Sequence, residues 1–227
     1  MIRHLPNIIT LVNLFSGCLA IIFLFQENNK NVMWCVVVSL LADLLDGLVA
    51  RMLHVTSKIG KELDSLADLI SFGVLPGFLV FHLWLPQGNM AYLALLIPIF
   101  SALRLAKFNI DERQTHHFLG LPTPASTIFI FGLYLTHSNG THGMRLFLEH
   151  PLFLLLIVIL VCALLVSEIP LFSLKFSTLT WKENRIKIIF ALLSLILCLL
   201  FSPIGLSLTI VLYVAISLFT KHSINNK

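Results

Sequence analysis

From Pro6 onward the sequence keeps returning to apolar runs close to twenty residues long, and that length restricts the fold more than any other feature. About 20 apolar residues span a ~30 Å hydrocarbon core as an α-helix. Backbone polar groups have no water to bond there, so spanning segments are helices or closed barrels. Eight such runs can be drawn: Pro6 to Leu24, Val32 to Met52, Gly60 to Phe81, Ala91 to Asn109, Leu121 to His137, Pro151 to Glu168, Ile186 to Phe201 and Ile204 to Phe219. The chain is 58% hydrophobic and 11% charged, with a mean hydropathy of +0.95, which excludes an ordinary soluble domain. The expected architecture is all-α, a polytopic membrane bundle of about eight transmembrane helices. No internal repeat or long linker divides it, so residues 1–227 read as a single integral membrane domain.

Charge placement orients these spans, because Lys and Arg favour the cytoplasmic side of short loops. With the N-terminus inside, every Lys and Arg except Lys30 and Arg145 falls on the inner side. An even number of crossings follows, with both termini cytoplasmic. Ser202 and Pro203 alone separate the last two runs, which predicts a tight extracytoplasmic hairpin, with one broken helix as the alternative. The first run lacks a small-residue cleavage site and reads as a retained helix. A net charge of +4 suits an anionic membrane surface rather than nucleic acid. Cys18, Cys35, Cys162 and Cys198 lie in apolar runs without metal-ligand spacing and read as small core residues. His116 and His117 are adjacent and face differently, while His54, His82, His137, His142, His150 and His222 are scattered at span edges. Solvated or interfacial side chains account for them.

Against this background, the four aspartates between Leu40 and Gly73 are anomalous. Asp43, Asp46, Gly47, Ala50 and Arg51 share one face of the second span, at offsets 0, 3, 4, 7 and 8. On the third span Gly60, Asp64, Ala67, Asp68 and Ser71 do the same, at offsets 0, 4, 7, 8 and 11. Two antiparallel neighbours can therefore aim four carboxylates at one point, and the small residues on those faces permit close approach. Converging carboxylates in a partly dehydrated cleft call for a cation. Oxygen donors without His or Cys select a hard divalent ion, Mg²⁺ or Mn²⁺, with Ca²⁺ also compatible, and two such ions balance four aspartates. Paired ions suit chemistry on phosphates. A proton relay, an ion-coupling site in a cation-coupled transporter, and structural pairing with Arg51, Lys58 and Lys61 are the competing readings of the same residues.

The residues Asp43, Asp46, Gly47, Ala50, Arg51, Gly60, Asp64 and Asp68 spell D-x-x-D-G-x-x-A-R-x8-G-x-x-x-D-x-x-x-D. This resembles the signature of the CDP-alcohol phosphotransferases, membrane enzymes that move a phosphatidyl or related group from a cytidine diphosphate carrier to an alcohol. "LPNIITLVNLFSGCLAIIF", "GKELDSLADLISFGVLP", "ALRLAKFN" and "FLGLPTPAS" are similar to the phosphatidylserine-synthase branch of that superfamily. The similarity covers Leu5 to Ser126, and the remainder agrees in hydropathy only.

The resemblance implies attack of the L-serine hydroxyl on the β-phosphorus of CDP-diacylglycerol, giving phosphatidylserine and CMP. It implies a homodimer and an active site open to the cytoplasm of a bacterial or archaeal membrane. On this reading Asp43, Asp46 and Asp64 hold the metal ions, and Asp68 adds a contact and serves as general base. Gly47, Ala50 and Gly60 leave room for the nucleotide, and Arg51 offers its guanidinium to a phosphate or to cytidine, or anchors at the interface. Asn7 and Thr10, at i and i+3, face the nucleotide, with an N-cap role for Asn7 as the alternative. Serine carries a carboxylate, which points to Arg104, with Lys107 and Asn109 beside it on the fourth span; a positive-inside anchor at the interface is the alternative for Arg104 and Lys107. Gly120 to Pro124 reads as a rigid lead into the fifth. Acceptors such as glycerol phosphate or an inositol compound need a denser basic pocket, and Arg104, Lys107 and Arg113 leave that alternative open.

Overall fold

The computed structural model describes residues 4–55, 57–110, 118–140, 142–171 and 181–224. Arg113, His116 and His117 lie outside them, as does the side chain of His222. Helices dominate: α1 (Leu5–Phe25), α2 (Asn29–Met52), α3 (Lys58–Leu69), α4 (Leu75–Trp84), α5 (Leu96–Ile110), α6 (Thr123–Asn139), α7 (His142–Leu148), α8 (Pro151–Val166), α9 (Trp181–Leu200) and α10 (Gly205–Ile224). Against the purely helical expectation, β1 (Phe118–Leu119) and β2 (Pro170–Leu171) form one short antiparallel pair. The chain packs as two compact units, Met1–Leu105 and Ala106–Lys227.

In the first unit, α1 and α2 form a hairpin closed at Asn28, whose side chain accepts a hydrogen bond from the Asn31 N–H and caps α2. Ser57 caps α3 in the same way through the Gly60 N–H. Between α3 and α4 the helix widens into a π-turn, Ile70–Val74, where the sequence reading has one regular helix. The apolar stretch then runs from Lys58 to Ile110, 53 residues. At 1.5 Å per residue that exceeds a single crossing more than twofold, so it must turn back. It does so at Gly88, whose φ of 69° and ψ of −134° break the 3₁₀ segment Leu85–Leu95. That segment covers residues the hydropathy reading leaves as a loop and, from Ala91 to Leu95, the start of the run it draws as the fourth span.

Leu5–Phe25, Asn29–Met52 and Lys58–Ile110 are long and apolar enough to cross a bilayer, and Pro151–Val166 and Gly205–Phe219 are shorter apolar helices. Packing inverts the pattern of a soluble protein. The buried face of α1 is Pro6, Thr10, Asn13, Ser16, Gly17, Ala20 and Leu24, whereas Ile8, Phe15, Ile22 and Phe25 point outward. Lipid replaces water as the outer solvent, so small and polar residues move inside, where backbones approach closely and hydrogen bonds can form. Cys18 is exposed on the lipid side, contrary to the core assignment, because it falls off that inner stripe; Cys162 is buried as expected.

In the second unit, α9 and α10 are separate helices joined by a turn over residues 201–204. Phe190 packs on Tyr213 at 5.8 Å, and Cys198 Sγ lies 3.8 Å from Thr209 Oγ1, which is antiparallel register and makes the pair a hairpin rather than one broken helix. Its helices outrun the hydropathy boundaries, beginning at Trp181 instead of Ile186, because backbone hydrogen bonding continues beyond the hydrocarbon edge. The Ser207 hydroxyl bonds the Phe129 carbonyl at 2.7 Å and joins α10 to α6. His137 is half-buried and bonds Glu149 at 2.7 Å, while Arg145 donates to the carbonyls of His137 and Ser138, so this histidine is tied into the protein rather than solvated.

The tightest helix approach in the first unit is at Gly17, where an added Cβ would lie 2.9 Å from Ser71 Cα. Gly17→Val is expected to cost about 1–3 kcal/mol by overpacking, read as a lower thermal midpoint in detergent. Gly143→Ala, on α7 with nothing within 4 Å of the new methyl, is expected to leave the midpoint unchanged or raise it.

Candidate active site

The face assigned to α2 turns inward at Asp46, which is 6% exposed, with Asp43 half-buried one turn earlier. On α3, Asp64 and Asp68 are half-buried and flank the fully buried Ala67. Asp43, Asp64 and Asp68 converge: one carboxylate oxygen from each lies within 4.8 Å of the others. Two unit charges at that separation repel by about 3 kcal/mol at an effective dielectric near 20. Asp46 stands beside them and accepts a 2.6 Å hydrogen bond from the Thr10 hydroxyl, which also donates toward the Pro6 carbonyl of its own helix. Oxygen-only donors at this spacing fit a hard divalent cation, since each carboxylate offers an atom to one shared point.

A cavity of about 540 Å³ adjoins this cluster. Asp46 and Asp64 line it, together with Asn7, Thr10, Gly47, Ala50 and Gly60 and the lysines Lys58 and Lys61. Six residues assigned to nucleotide contact from the sequence were Asn7, Thr10, Gly47, Ala50, Gly60 and Arg51, and the first five meet at this wall. Arg51 stands at its rim, exposed, with Nε donating to the Gly47 carbonyl at 2.9 Å. Asn7 lies inside the first turns of α1 and His4 occupies the cap, so the N-cap alternative for Asn7 falls away. A Cβ on Gly60 would come 3.0 Å from Asn7 Oδ1, and a Cβ on Gly47 would meet nothing within 4 Å.

The acceptor residues divide by environment. Arg104 is 7% exposed, Asn109 is half-buried and Lys107 is exposed. On α5, Pro98 packs at Gly77 and Ser101 at Gly73, an antiparallel register along the third crossing. Gly120 to Pro124 forms the lead into α6, braced by Gly120 N–H to the Ile169 carbonyl and Leu121 N–H to the Leu164 carbonyl, both at 2.9 Å.

Sequence reasoning passed over Asn13. Its Nδ2 donates to Asp68 Oδ1 at 3.3 Å, and its backbone carbonyl accepts from the hydroxyls of Ser39 at 3.2 Å and Ser71 at 3.0 Å. The available signal was spacing, because Asn13 continues the Asn7 and Thr10 series by a further three residues.

Fold and centre together define an integral membrane helical protein with an oxygen-donor acidic centre beside a polar cavity. Residues 3–167 match the CDP-alcohol phosphatidyltransferase family, and the chain belongs to it. A Helicobacter pylori protein named CDP-diacylglycerol–serine O-phosphatidyltransferase is 37% identical over 199 residues, which cover 84% of this chain and 80% of that one. Proteins of the same name from Bacillus subtilis and Methanocaldococcus jannaschii are 34% identical over 149 residues and 35% over 129. These alignments cover 63% and 56% of this chain, and 84% and 59% of the relatives.

If the cluster holds a divalent cation, Asp43→Asn removes one of three converging charges. Mn²⁺ affinity of the purified protein, followed by electron paramagnetic resonance, is expected to fall at least about tenfold, the loss of one charged ligand contact. Unchanged affinity would remove Asp43 from the ligand set.

Proposed function

We propose that this chain transfers the phosphatidyl group of CDP-diacylglycerol to L-serine, releasing CMP and leaving phosphatidylserine in the membrane. The observation that carries the reading is the convergence of Asp43, Asp64 and Asp68 beside a 540 Å³ cavity that Asp64 and Asp46 line, in a member of this family. The names of its relatives favour serine as acceptor.

Asp43, Asp46, Asp64 and Asp68 would hold two divalent cations, Mg²⁺ or Mn²⁺. Ions bound there would neutralise the diphosphate and the developing charge on the leaving CMP oxygen. Within the chain, Gly47, Ala50 and Gly60 keep the cavity wall low, so a nucleotide can lie against helix backbone. Asn7 and Thr10 present polar atoms beside them from α1, and Arg51 at the rim offers its guanidinium to phosphate or cytidine. Asp68 takes the serine hydroxyl proton as the oxygen–phosphorus bond forms and the bond to CMP breaks. Arg104 binds the serine carboxylate, with Lys107 and Asn109 completing the acceptor side. The acyl chains stay in lipid while the cytidine end enters from the cytoplasm. Eight crossings with both termini cytoplasmic bring the basic loop between α2 and α3 to the cytoplasmic surface. A homodimer is the proposed assembly.

Purified protein given CDP-diacylglycerol, Mg²⁺ or Mn²⁺ and a panel of alcohols is expected to release CMP with serine and to form phosphatidylserine. In the same assay Asp68→Asn is expected to lower turnover by at least about 100-fold, the range of a lost general base, with donor binding retained. Product with glycerol phosphate or inositol instead would replace the acceptor, and cation flux without lipid turnover would replace the class. Arg104→Ala is expected to raise the KM for serine about tenfold or more, with the KM for the donor within twofold, for one lost charged contact. An unchanged serine dependence would remove Arg104 from the pocket.

A further inference from the structure

We infer that Asn13 is a positioning residue that holds the Asp68 carboxylate in the orientation its chemistry needs; the inference rests on the role proposed for Asp68. Asn13 is fully buried, at 0% exposed, in the middle of α1. It is fixed from two other elements: Ser39 on α2 and Ser71 on the π-turn both donate to its backbone carbonyl. Gly17, one turn along, is what lets Ser71 come so near. The amide reaches across to Asp68 Oδ1 through Nδ2 at 3.3 Å.

The other end of that amide is the informative one. Among the described residues, Asn13 Oδ1 is buried without a hydrogen-bond partner. An asparagine kept for packing alone would leave a costly orphan acceptor, and a leucine of similar size would avoid that cost. The orientation is nonetheless determined, because turning the amide over would set Oδ1 against a carboxylate oxygen, acceptor against acceptor. The donor end therefore belongs to Asp68. Holding one carboxylate oxygen there leaves the second for the alcohol proton. A carboxylate among three others would otherwise rotate to relieve their repulsion. The π-turn that begins two residues after Asp68 leaves its helix less able to resist that rotation.

The test uses Asn13→Leu, which keeps the branching and drops the donor, and Asn13→Asp, which keeps the shape and replaces the donor with an acceptor. Full-length protein in detergent is assayed with CDP-diacylglycerol, serine and Mn²⁺, and its thermal midpoint is recorded. In Asn13→Leu kcat is expected to fall ten- to hundredfold while the KM for CDP-diacylglycerol stays within twofold. Asn13→Asp is expected to fall at least as far. Where Asn13→Leu shows no folding transition, the near-isosteric Asn13→Asp carries the same comparison. A kcat within threefold of the unaltered protein in either folded variant would overturn the assignment, as would a loss confined to KM. Wild-type protein that makes no phosphatidylserine would instead refute the function on which the inference rests, so the two failures are distinguishable.

Discussion

Mutual repulsion among carboxylates inside a membrane is the constraint around which the first unit is arranged. Asp43, Asp64 and Asp68 meet within 4.8 Å, with Asp46 alongside, in surroundings that screen charge far less than water does. The opposing contribution comes from α1, which lends a hydroxyl to Asp46 and an amide to Asp68. The first helix is thus a donor scaffold for the acids of its neighbours, and the centre is built from three elements rather than from the two that carry its charges.

That arrangement explains why α1, and in part α2, turn small and polar residues inward and leave leucine and isoleucine outside. Leucine and isoleucine gain little by meeting each other when lipid is an equally good apolar partner. Serine, threonine, asparagine and glycine gain more by facing inward, since a polar group left toward the hydrocarbon has no partner. Ser39, Ser71 and Ser101 are each fully buried, and Leu41, Leu44 and Leu48 face out. The same inward set that lets the backbones approach also supplies the atoms that orient the acids.

The aspartate faces were legible because helical periodicity is local: offsets of three, four, seven and eight identify a side without any knowledge of neighbours. The nucleotide-side residues Gly47, Ala50 and Gly60 were legible for the same reason, once the signature was in view. Asn13 was passed over, because its spacing after Asn7 and Thr10 marks a face of α1 without saying what that face meets. Its meaning comes from a residue 55 positions away. The reversal near Gly88 was legible as the gap between the runs ending at Phe81 and beginning at Ala91, but its 3₁₀ path was not, because a 3₁₀ path and a loop have the same composition. Cys18 was misplaced because burial follows the polar stripe here, not hydrophobicity. The β1 and β2 pair, two residues on each side, is too short to leave any alternation in the sequence.

The widened turn at Ile70–Val74 separates two duties of one long rod. Below it, Asp64 and Asp68 look toward the acids and α1; above it, Gly73 and Gly77 receive Ser101 and Pro98 of α5. Had the rod been uniformly α-helical, every adjustment to one contact would have been imposed on the other as a rigid rotation. With a π-turn between them, the helix phase that aims the acids is set apart from the phase that receives α5.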